Sequence, residues 1–565
     1  MHLEVESSKG PRSIRIEGEE LSRPLSELLR RQGMPLNTRC GQRGLCDGCR
    51  VELLEGSVVD VDTGRVLEAA GCAGEIKGCM HRPDPACAAI KVRVPDRSLT
   101  SYEPQVVSDF YVSIPFGQDP IYRAGRDLPR LATDSPIGAA IDVGTTTVAV
   151  LLVELNSGKV LARSAGFNRQ MHLGDDVLTR INLCMTDTSL VGRLQEAIVN
   201  ETIARLLADA MKQAKVTPDR LAVVTAAGNT TMLHLLAGVD PTPMGLAPFT
   251  PAFLEHRTLT LTEVELRWPD QHTLAYPDPD ASPRLHLLPG AAAYVGADLT
   301  AGVIATGLRY HGGTCLLVDV GTNGEIILKH DEHLLGCATA AGPAFEGGGL
   351  TDGIRAGHGA ISHIKITADP FAIDATVIGD AAPIGICGSA YIDVLAEGLR
   401  TGILSAAGRF DLDGFPQVAP RLREQSCYGF MLHVAAGKGK EGIFIGEIDV
   451  SRLLQAKAAI AAGILTLLER VGKTPADVDT LFLAGGFGMH VDLDNALHCG
   501  LLPGFTRDQV KLVGNTSLAG AYVALLDRSL LPEIARVGAD LDVVELNLDP
   551  GFENRYIDQL SLTPA

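Results

Sequence analysis

The sequence predicts a multidomain protein of the α/β and α+β classes, in which a small strand-rich N-terminal domain precedes a duplicated α/β unit. Three observations predict this organisation. The chain has 565 residues, too many for one hydrophobic core. Six of its twelve cysteines lie within the first 87 residues. A strand–Asp-Val-Gly-Thr–strand pattern then occurs twice, at Asp142–Thr145 and Asp319–Thr322.

The composition is that of an ordinary globular protein, with 46% hydrophobic and 21% charged residues. Its net charge of −19 argues against a nucleic-acid-binding protein, which needs a basic surface. No segment approaches the roughly 20 unbroken apolar residues of a membrane span. The N-terminus also lacks the charged and then apolar pattern of a signal peptide. We therefore expect a cytoplasmic protein that binds neither nucleic acid nor a membrane.

The N-terminal cysteines indicate a metal centre, because disulfides are rare in cytoplasmic proteins. Cys40, Cys46 and Cys49 share one glycine-rich segment, and Cys79 follows after 29 residues. The plant-type [2Fe–2S] pattern is C-x4-C-x2-C followed by a distant fourth cysteine. Here the first gap holds five residues, as in adrenodoxin-like relatives. A zinc ribbon would need a second CxxC pair, which this spacing does not provide.

The identity of the fourth cluster ligand stays open in the sequence. Cys79 has the best spacing and stands just before a predicted strand, but Cys72 and Cys87 are also available. The flanking pattern favours a β-grasp, ferredoxin-like domain over residues 1–96. Its predicted elements are a hairpin (2–6 and 13–17), a helix (21–32) and two further strands (50–54 and 90–94).

Residues 97–135 are predicted to form a linker. They contain several prolines and show no sustained hydrophobic period. Such a connector would either let the iron–sulfur domain swing between electron partners or pack as a strap on the next domain. The sequence does not separate these two alternatives.

The first Asp-Val-Gly-Thr turn has the residue types of a phosphate site. Gly144, Thr145, Thr146 and Thr147 would present backbone N–H and hydroxyl groups to phosphate. Asp142, at the end of the preceding strand, would hold Mg²⁺ through water. One such turn is a weak signal, since strand–glycine turns are common in α/β proteins.

The second copy and a late glycine turn strengthen the assignment. Gly321, Thr322 and Asn323 repeat the phosphate turn after Asp319, and Glu325 follows it. Gly485, Gly486 and Phe487 end an apolar strand in a turn suited to close contact with adenosine. A further glycine-rich segment contains Glu346. Neither a Walker G-x4-GK[ST] motif nor a strand followed by G-x-G-x-x-G is convincing here.

The ordered set of two Asp-Val-Gly-Thr turns and a late Ala-Gly-Gly-Phe-Gly resembles the ASKHA superfamily of acetate and sugar kinases, Hsp70 and actin. That resemblance implies two ribonuclease-H-like halves that clasp ATP between them. We expect the first half at 136–312 and the second, with the adenosine motif, at 313–565.

A ferredoxin module joined to an ASKHA ATPase resembles the reductive activators of corrinoid proteins, and the resemblance covers nearly the whole chain. Its C-terminus lacks the cysteines of the extra [4Fe–4S] motifs that some relatives carry, so one cluster is implied. Besides the turns above, the resemblance rests on five segments: Gly228–His234, Leu288–Gly290, Gly385–Ala390, Leu454–Ile460 and Gly514–Gly520.

The resemblance implies an ATP-hydrolysing activase that transfers one electron from its [2Fe–2S] cluster to inactive cob(II)alamin on a corrinoid protein of a methyltransferase system. An upstream donor would supply the electron, and a homodimer is compatible with this family. Asp142 and Asp319 would position Mg²⁺ and water, Thr145, Thr146, Thr322 and Asn323 would hold phosphates, and Gly485, Gly486 and Phe487 would line the adenosine. Glu325 and Glu346 are candidates for orienting the attacking water.

Three other functions fit parts of the pattern. They are an ATP-dependent activator of another low-potential or radical enzyme, a small-molecule kinase with an attached redox module, and a nucleotide-responsive redox scaffold. The cluster type, phosphate transfer to an acceptor and ATP turnover, respectively, would distinguish them.

Overall fold

The structure is a computed structural model, and it carries three principal sheets in chain order. It describes residues 1–7, 10–32, 34, 36, 42, 44, 49–69, 74–95, 98, 110, 112–114, 116–117, 119–122, 135–174, 176–269, 271–321, 323–379, 381–424, 429–437, 442–488 and 490–562.

The N-terminal domain is built on a sheet with strand order β2-β1-β8-β3-β6, beside a small sheet of order β5-β4-β7. Leu3 pairs with Ile14 in the predicted hairpin and with Ile90 on the parallel neighbour, so these apolar side chains share one buried face. The elements are β1 His2–Glu6, β2 Arg12–Arg15, α1 Leu25–Arg31, β3 Arg50–Glu55, β4 Ser57–Asp60, β5 Val66–Glu68, β6 Gly74–Lys77, β7 His81–Pro83 and β8 Ala89–Arg93.

Helix α1 starts later than the sequence pattern predicts. Pro24, with ψ 152°, is the extended residue that precedes its first turn. A five-residue 3₁₀ segment, Gly18–Ser22, occupies the stretch before it. The proline has no N–H to give, which suits the boundary of a helix but not its interior.

The described linker residues pack as a strap against α6 of the first half and against the C-terminal part of the second half. Phe110 forms an antiparallel bridge with Gly514, and Asp119 forms a parallel bridge with Asp527. Ser113 donates its backbone N–H to the Ala305 carbonyl at 3.0 Å. For this described part of the linker, the contacts favour the strap over the free connector.

The first half carries a sheet of order β11-β10-β9-β12-β14-β13. Strands β9, β10 and β11 form an antiparallel meander, and β12 runs parallel to β9. The elements are β9 Ile137–Val143, β10 Thr147–Glu154, β11 Val160–Phe167, α2 Val177–Thr186, α3 Leu190–Ile198, α4 Ala204–Ala214, β12 Leu221–Gly228, α5 Thr230–Leu236, β13 Arg257–Thr260, β14 Arg284–Leu287 and α6 Ala297–Ala305.

The second half repeats this arrangement in a sheet of order β25-β24-β15-β16-β17-β26, with two three-stranded sheets (β19-β18-β20 and β21-β22-β23) inserted. The elements are β15 Thr314–Val320, β16 Gly324–His330, β17 His333–Thr339, β18 Ala360–Thr367, β19 Ala372–Val377, β20 Gly385–Ile386, α7 Gly388–Thr401, β21 Leu422–Glu424, β22 Phe430–Ala435, β23 Ile443–Gly446, α8 Glu447–Arg470, β24 Thr480–Ala484, α9 Gly485–Gly488, α10 Leu493–His498, β25 Val510–Gly514, α11 Thr516–Leu526, α12 Leu530–Asp540, β26 Leu541–Val543 and α13 Phe552–Asp558.

The duplication predicted from the two Asp-Val-Gly-Thr turns is visible in the sheets. Strands β15, β16 and β17 form an antiparallel meander, and β24 runs parallel to β15, as β12 does to β9. Each turn therefore joins the first two strands of an equivalent meander. The predicted fold class is confirmed.

Helices α6 and α11 pack on each other, and α11 also covers β9 and β12 of the first sheet. The C-terminal part of the chain thus completes the core of the first half, and buried side chains of both halves share one cluster. The glycine and alanine at this contact, Gly520 and Ala301, let the two helix backbones approach closely. The division at 312/313 stays a prediction.

One described helix, α8, is long and apolar enough by length and composition to cross a membrane. However, 78% of its most apolar window is buried inside the protein, as in the core helix of a globular domain.

Candidate functional site

The N-terminal site brings together two of the four predicted cluster cysteines. The Sγ atoms of Cys49 and Cys79 lie 3.3 Å apart, and both side chains are buried. Cys49 immediately precedes β3 and Cys79 follows β6, while the Gly78 N–H donates to the Cys49 carbonyl at 2.9 Å. Antiparallel pairing of β3 with β6 therefore brings these distant cysteines together. Cys40 and Cys46 lie outside the described residues.

The chemistry of this pair fits a metal–sulfur centre. The separation is well beyond the ~2.05 Å of a disulfide bond, and two buried thiols at this distance suit ligands of one small cluster. Lys77 Nζ donates to the carbonyl of Gly44, which stands between Cys40 and Cys46 in the sequence, at 2.5 Å. Cys87 instead contacts the Ser57 hydroxyl at 3.0 Å, and Cys72 lies outside the described residues.

A cavity of about 230 Å³ lies between the two halves. Every nucleotide-side residue predicted from the sequence lines it except Thr322, which lies outside the described residues. The predicted lining residues are Asp142, Gly144, Thr145, Thr146, Thr147, Asp319, Gly321, Asn323, Glu325, Glu346, Gly485, Gly486 and Phe487.

The first turn is held by side chains from several elements. Asn168 donates to the Gly144 carbonyl at 2.9 Å, and Arg180, fully buried, donates to the Thr145 carbonyl at 2.6 Å. Asn229 donates to the Thr145 hydroxyl at 2.9 Å. With its carbonyls engaged in this way, the turn has a fixed shape, which is what binding a phosphate requires.

Asp142 is positioned by the start of α11. The Asn515 side-chain amide and the Ser517 hydroxyl each donate to its carboxylate at 2.7 Å. Asn515 also caps α11, because its side-chain oxygen accepts the Leu518 N–H at 2.8 Å. One residue therefore connects the helix start with the carboxylate.

Four carboxylates converge in the cleft, and burial raises the pKa of each. Burial and the nearby charges of Asp298 and Asp142 raise the pKa of Asp319 to about 7. Burial and the charge of Asp142 raise the pKa of Asp298 to about 7. The pKa of Asp142 is raised by burial, which its Ser517 and Asn515 hydrogen bonds oppose. Burial and the charges of Asp298 and Asp319 also raise the pKa of Glu325.

Buried like charges of this kind are costly unless a cation joins them, and oxygen ligands are those that Mg²⁺ prefers. The donor set therefore fits a divalent cation in this part of the cleft.

The opposite wall of the cleft comes from the second half. Gly485 adopts a left-handed φ of 91°, and a Cβ there would meet the Asp319 Oδ1 at 2.6 Å. Only glycine allows this close approach of the turn to the carboxylate. Phe487 packs its ring against Phe345 with centroids 5.0 Å apart, and the neighbouring Glu346 accepts a hydrogen bond from the Thr146 hydroxyl at 3.1 Å.

Sequence reasoning missed half of the residues that line the cavity, among them five polar or charged ones. Asn229, Asn515 and Ser517 belong to segments noted for their family resemblance, but nothing in their local pattern pointed to the cleft. Asp298, in the first turn of α6, and Arg355 lay outside every motif. An acidic residue in the first turn of a helix that follows a single glycine, Gly296, was the available signal for Asp298.

Comparison with known families covers most of the chain. The family descriptions "RACo middle region" and "C-terminal domain of RACo the ASKHA domain" match residues 137–311 and 313–565, respectively.

Individual relatives agree with these matches. The corrinoid activation enzyme RamQ of Eubacterium limosum is 32% identical over 437 residues, which are 76% of this chain and 71% of that protein. The [Co(II) methylated amine-specific corrinoid protein] reductase of Methanosarcina barkeri is 24% identical over 75% of this chain and 76% of that protein. A solved structure described as a reductive activator for corrinoid, iron–sulfur protein superposes with a TM-score of 0.69 at 28% identity, covering 100% of this chain and 98% of the other.

Proposed function

The chain belongs to the family of reductive activators of corrinoid proteins, and from this we propose that it is an ATP-hydrolysing enzyme that returns an inactive corrinoid protein to its cob(I)alamin state. The protein would pass one electron from a [2Fe–2S] cluster to cob(II)alamin, so that methyl transfer can resume. The observation that carries the proposal is one chain with a buried cysteine pair at one end and a carboxylate-lined cleft between duplicated halves further along.

Cys40, Cys46, Cys49 and Cys79 are the residues proposed to hold the cluster. When bound, a plant-type centre supplies single electrons near roughly −400 mV. The pairing of β3 with β6 fixes Cys49 and Cys79, and the buried surroundings limit contact of the thiols with water.

In the cleft, we propose that Asp142, Asp298 and Asp319 hold Mg²⁺ through water, the ion supplying charge neutralisation of the nucleotide phosphates. The turns at Gly144–Thr147 and Gly321–Asn323 would bind the phosphates. Gly485, Gly486 and Phe487 would line the adenosine. Glu325 and Glu346 remain candidates for orienting the attacking water.

Energetics explain why ATP accompanies the electron transfer. Each 100 mV of uphill transfer costs about 2.3 kcal/mol per electron, and about 59 mV is a tenfold change in the equilibrium constant for one electron. Reduction of Co(II) to Co(I) is uphill from an ordinary low-potential donor. Nucleotide binding between the halves can offset this cost only if the closed and open forms differ in affinity for the corrinoid protein or its reduced product.

The proposed partners are a corrinoid protein of a methyltransferase system and an upstream electron donor, and the proposed location is the cytoplasm. The proposed assembly is a homodimer.

The decisive experiment combines the anaerobically purified protein, a reductant, Mg-ATP and a corrinoid protein in the cob(II)alamin state. We expect the Co(I) absorption band to appear only with ATP. Cys49→Ala should abolish it, whereas Cys184→Ala, at a buried cysteine in the first half, should not. Formation of Co(I) at the same rate without ATP, or no formation of Co(I) with ATP present, would contradict the proposal.

A further inference from the structure

The charge balance of the cleft is the starting point. Among the cleft-lining residues that the structure describes, Arg355 is the sole arginine or lysine, against five carboxylates. ATP would bring several further negative charges into this space. A positively charged side chain that contacts the terminal phosphate would therefore reduce the repulsion between these negative charges. Arg355 is the one arginine or lysine on the described wall. The five carboxylates belong to Asp142, Asp298, Asp319, Glu325 and Glu346.

Arg355 and Thr146 converge on the same atom. The Thr146 hydroxyl donates to the Glu346 Oε2 at 3.1 Å, and the Arg355 Nε lies 3.5 Å from that oxygen. The Arg355 guanidinium also lies 5.8 Å from the centre of the Phe167 ring. Arg355 and Glu346 are largely buried, with 13% and 21% of their side chains exposed.

These contacts join the two halves across the cleft. Thr146 belongs to the phosphate turn between β9 and β10, and Phe167 ends β11, so both come from the first half. Glu346 and Arg355 come from the second half, on segments that flank the start of α7. The Glu346 carboxylate is thus the negative group on which donors from both halves meet.

A carboxylate and a phosphate oxygen attract the same donors. Guanidinium and hydroxyl groups bind both, and the charge-assisted bonds are the stronger ones. We propose that Glu346 stands in for the terminal phosphate of a nucleoside triphosphate in the nucleotide-free protein, and that Thr146 and Arg355 transfer from its carboxylate to that phosphate when ATP binds. This inference rests on the proposed ATP-binding function and adds a sensor for the third phosphate.

The transfer of Thr146 and Arg355 from Glu346 to the third phosphate would let the protein distinguish ATP from ADP. A diphosphate lacks the group that competes with Glu346, so the Thr146–Glu346–Arg355 contacts persist when ADP is bound. A ligand shifts a conformational equilibrium only through differential contacts with the two states, and the third phosphate would make such contacts. The sensor would report ATP, and not nucleotide in general, to the interface between the halves.

The test measures the dissociation constants of ATP and ADP for the full-length protein by isothermal titration calorimetry with Mg²⁺ and without corrinoid protein. Arg355→Ala should weaken ATP binding by about tenfold or more, while ADP binding stays within about twofold. Glu346→Gln should tighten ATP binding severalfold and leave ADP binding unchanged, because it removes the competing charge. Arg355→Lys keeps the charge and should recover part of the ATP preference.

Arg421→Ala is the matched control, because its guanidinium also lies 5.8 Å from a phenylalanine ring, that of Phe371, outside the cleft lining. It should change neither constant. Equal weakening of ATP and ADP in Arg355→Ala, or unchanged or weaker ATP binding in Glu346→Gln, overturns the inference. Thermal unfolding of each variant shows whether it folds. If Arg355→Ala does not fold, the affinities of Arg355→Lys and Glu346→Gln for ATP and ADP test the inference instead.

The two proposals fail separately. A protein that generates cob(I)alamin with ATP but shows no Arg355-dependent preference for ATP would refute the sensor alone. A protein that shows this preference but never reduces a corrinoid would refute the proposed function alone.

Discussion

At the residue scale, the cleft is governed by buried carboxylates that repel one another. Asp142 and Asp298 come from separate places in the chain, Asp319 and Glu325 pair across β15 and β16, and burial favours the neutral form of each carboxylate. A divalent cation reverses this preference, because it stabilises the ionised carboxylates. Proton release and cation binding should therefore be linked in this protein.

Asp319→Asn tests this linkage through stability. Folding raises the pKa of Asp319 from 3.8 to about 7. At low pH the carboxyl is neutral in both states, but between those two values the unfolded chain ionises first. The free energy of unfolding of the wild type should therefore fall as pH rises through this window, by an amount on the order of 4 kcal/mol for this one group.

The expected result is a smaller fall for Asp319→Asn than for the wild type when thermal unfolding in EDTA is compared at pH 5 and pH 8. Added Mg²⁺ at pH 8 should stabilise the wild type more than the variant. Parallel pH profiles for the two proteins would show that Asp319 does not carry the linkage.

The cysteines of the N-terminal domain give a second test at this scale. Cys49→Ser and Cys79→Ser should each lower the iron and acid-labile sulfide content of the anaerobically purified protein, because their Sγ atoms lie 3.3 Å apart and are proposed to bind one cluster. Cys87→Ser is the control, since that sulfur contacts the Ser57 hydroxyl. Loss of iron in Cys87→Ser with retention in Cys79→Ser would reassign the fourth ligand.

At the scale of elements, the start of α11 contacts both the cleft and the linker. Asn515 caps the helix and donates to Asp142, while the preceding Gly514 pairs with Phe110 of the linker. The cleft and the linker therefore contact the same few residues. A movement of α11 relative to β25 would change both the cleft and the contact with the linker.

Asn515→Ala should lower both stability and nucleotide affinity. Loss of the cap costs roughly 1 kcal/mol, and loss of the donor removes a hydrogen bond to the Asp142 carboxylate. We expect a fall of several degrees in the melting temperature and about a tenfold weaker affinity for Mg-ATP, measured by calorimetry.

Asp492→Ala separates the effect of a lost helix cap on stability from the effect on nucleotide affinity. Asp492 caps α10 by accepting the Asn495 N–H at 3.0 Å, and it does not line the cleft. This variant should lose stability and keep its affinity for Mg-ATP. Equal affinities for all three proteins would mean that the Asn515–Asp142 contact plays no part in nucleotide binding.

At the scale of the whole molecule, the predicted linker connects the N-terminal domain, which holds the cysteine pair, with the duplicated halves that enclose the cleft. Its described residues contact both halves, and Phe110 and Phe116 lie against the Tyr522 ring of the second half with centroids 5.5 and 5.9 Å apart. The Tyr522 hydroxyl donates to the Gly158 carbonyl at 2.7 Å, so the same residue also ties α11 to the first half. Release of this strap would lengthen the reach of the N-terminal domain.

Tyr522→Ala should release the strap. We expect trypsin to cleave residues 97–135, which contain several arginines, at least severalfold faster than in the wild type. Tyr522→Phe keeps the ring and should behave like the wild type. Equal cleavage rates for wild type and Tyr522→Ala would show that these aromatic contacts do not fasten the linker.

Most of the fold and half of the site were predictable from local sequence. The glycine–threonine turns carry their own signal, because a tight turn between two strands needs those residue types, and both turns line the cleft. Asp298, Asn515 and Arg355 carried no such signal. Their roles arise because α6, α11 and the segment before β18 come together in three dimensions, and a local pattern contains no information on that packing.

The sequence by itself determined the cysteine spacing, the repeated turn and the duplicated halves, since each follows from short-range periodicity and residue type. Only the tertiary structure decided which carboxylates share the cleft, that Glu346 joins Thr146 and Arg355, and that α11 completes the core of the first half. The physical reason is distance in the sequence: Thr146 and Glu346 are 200 positions apart, and Asp142 and Asn515 are 373 apart. Packing of whole helices and sheets, and not local preference, sets their geometry.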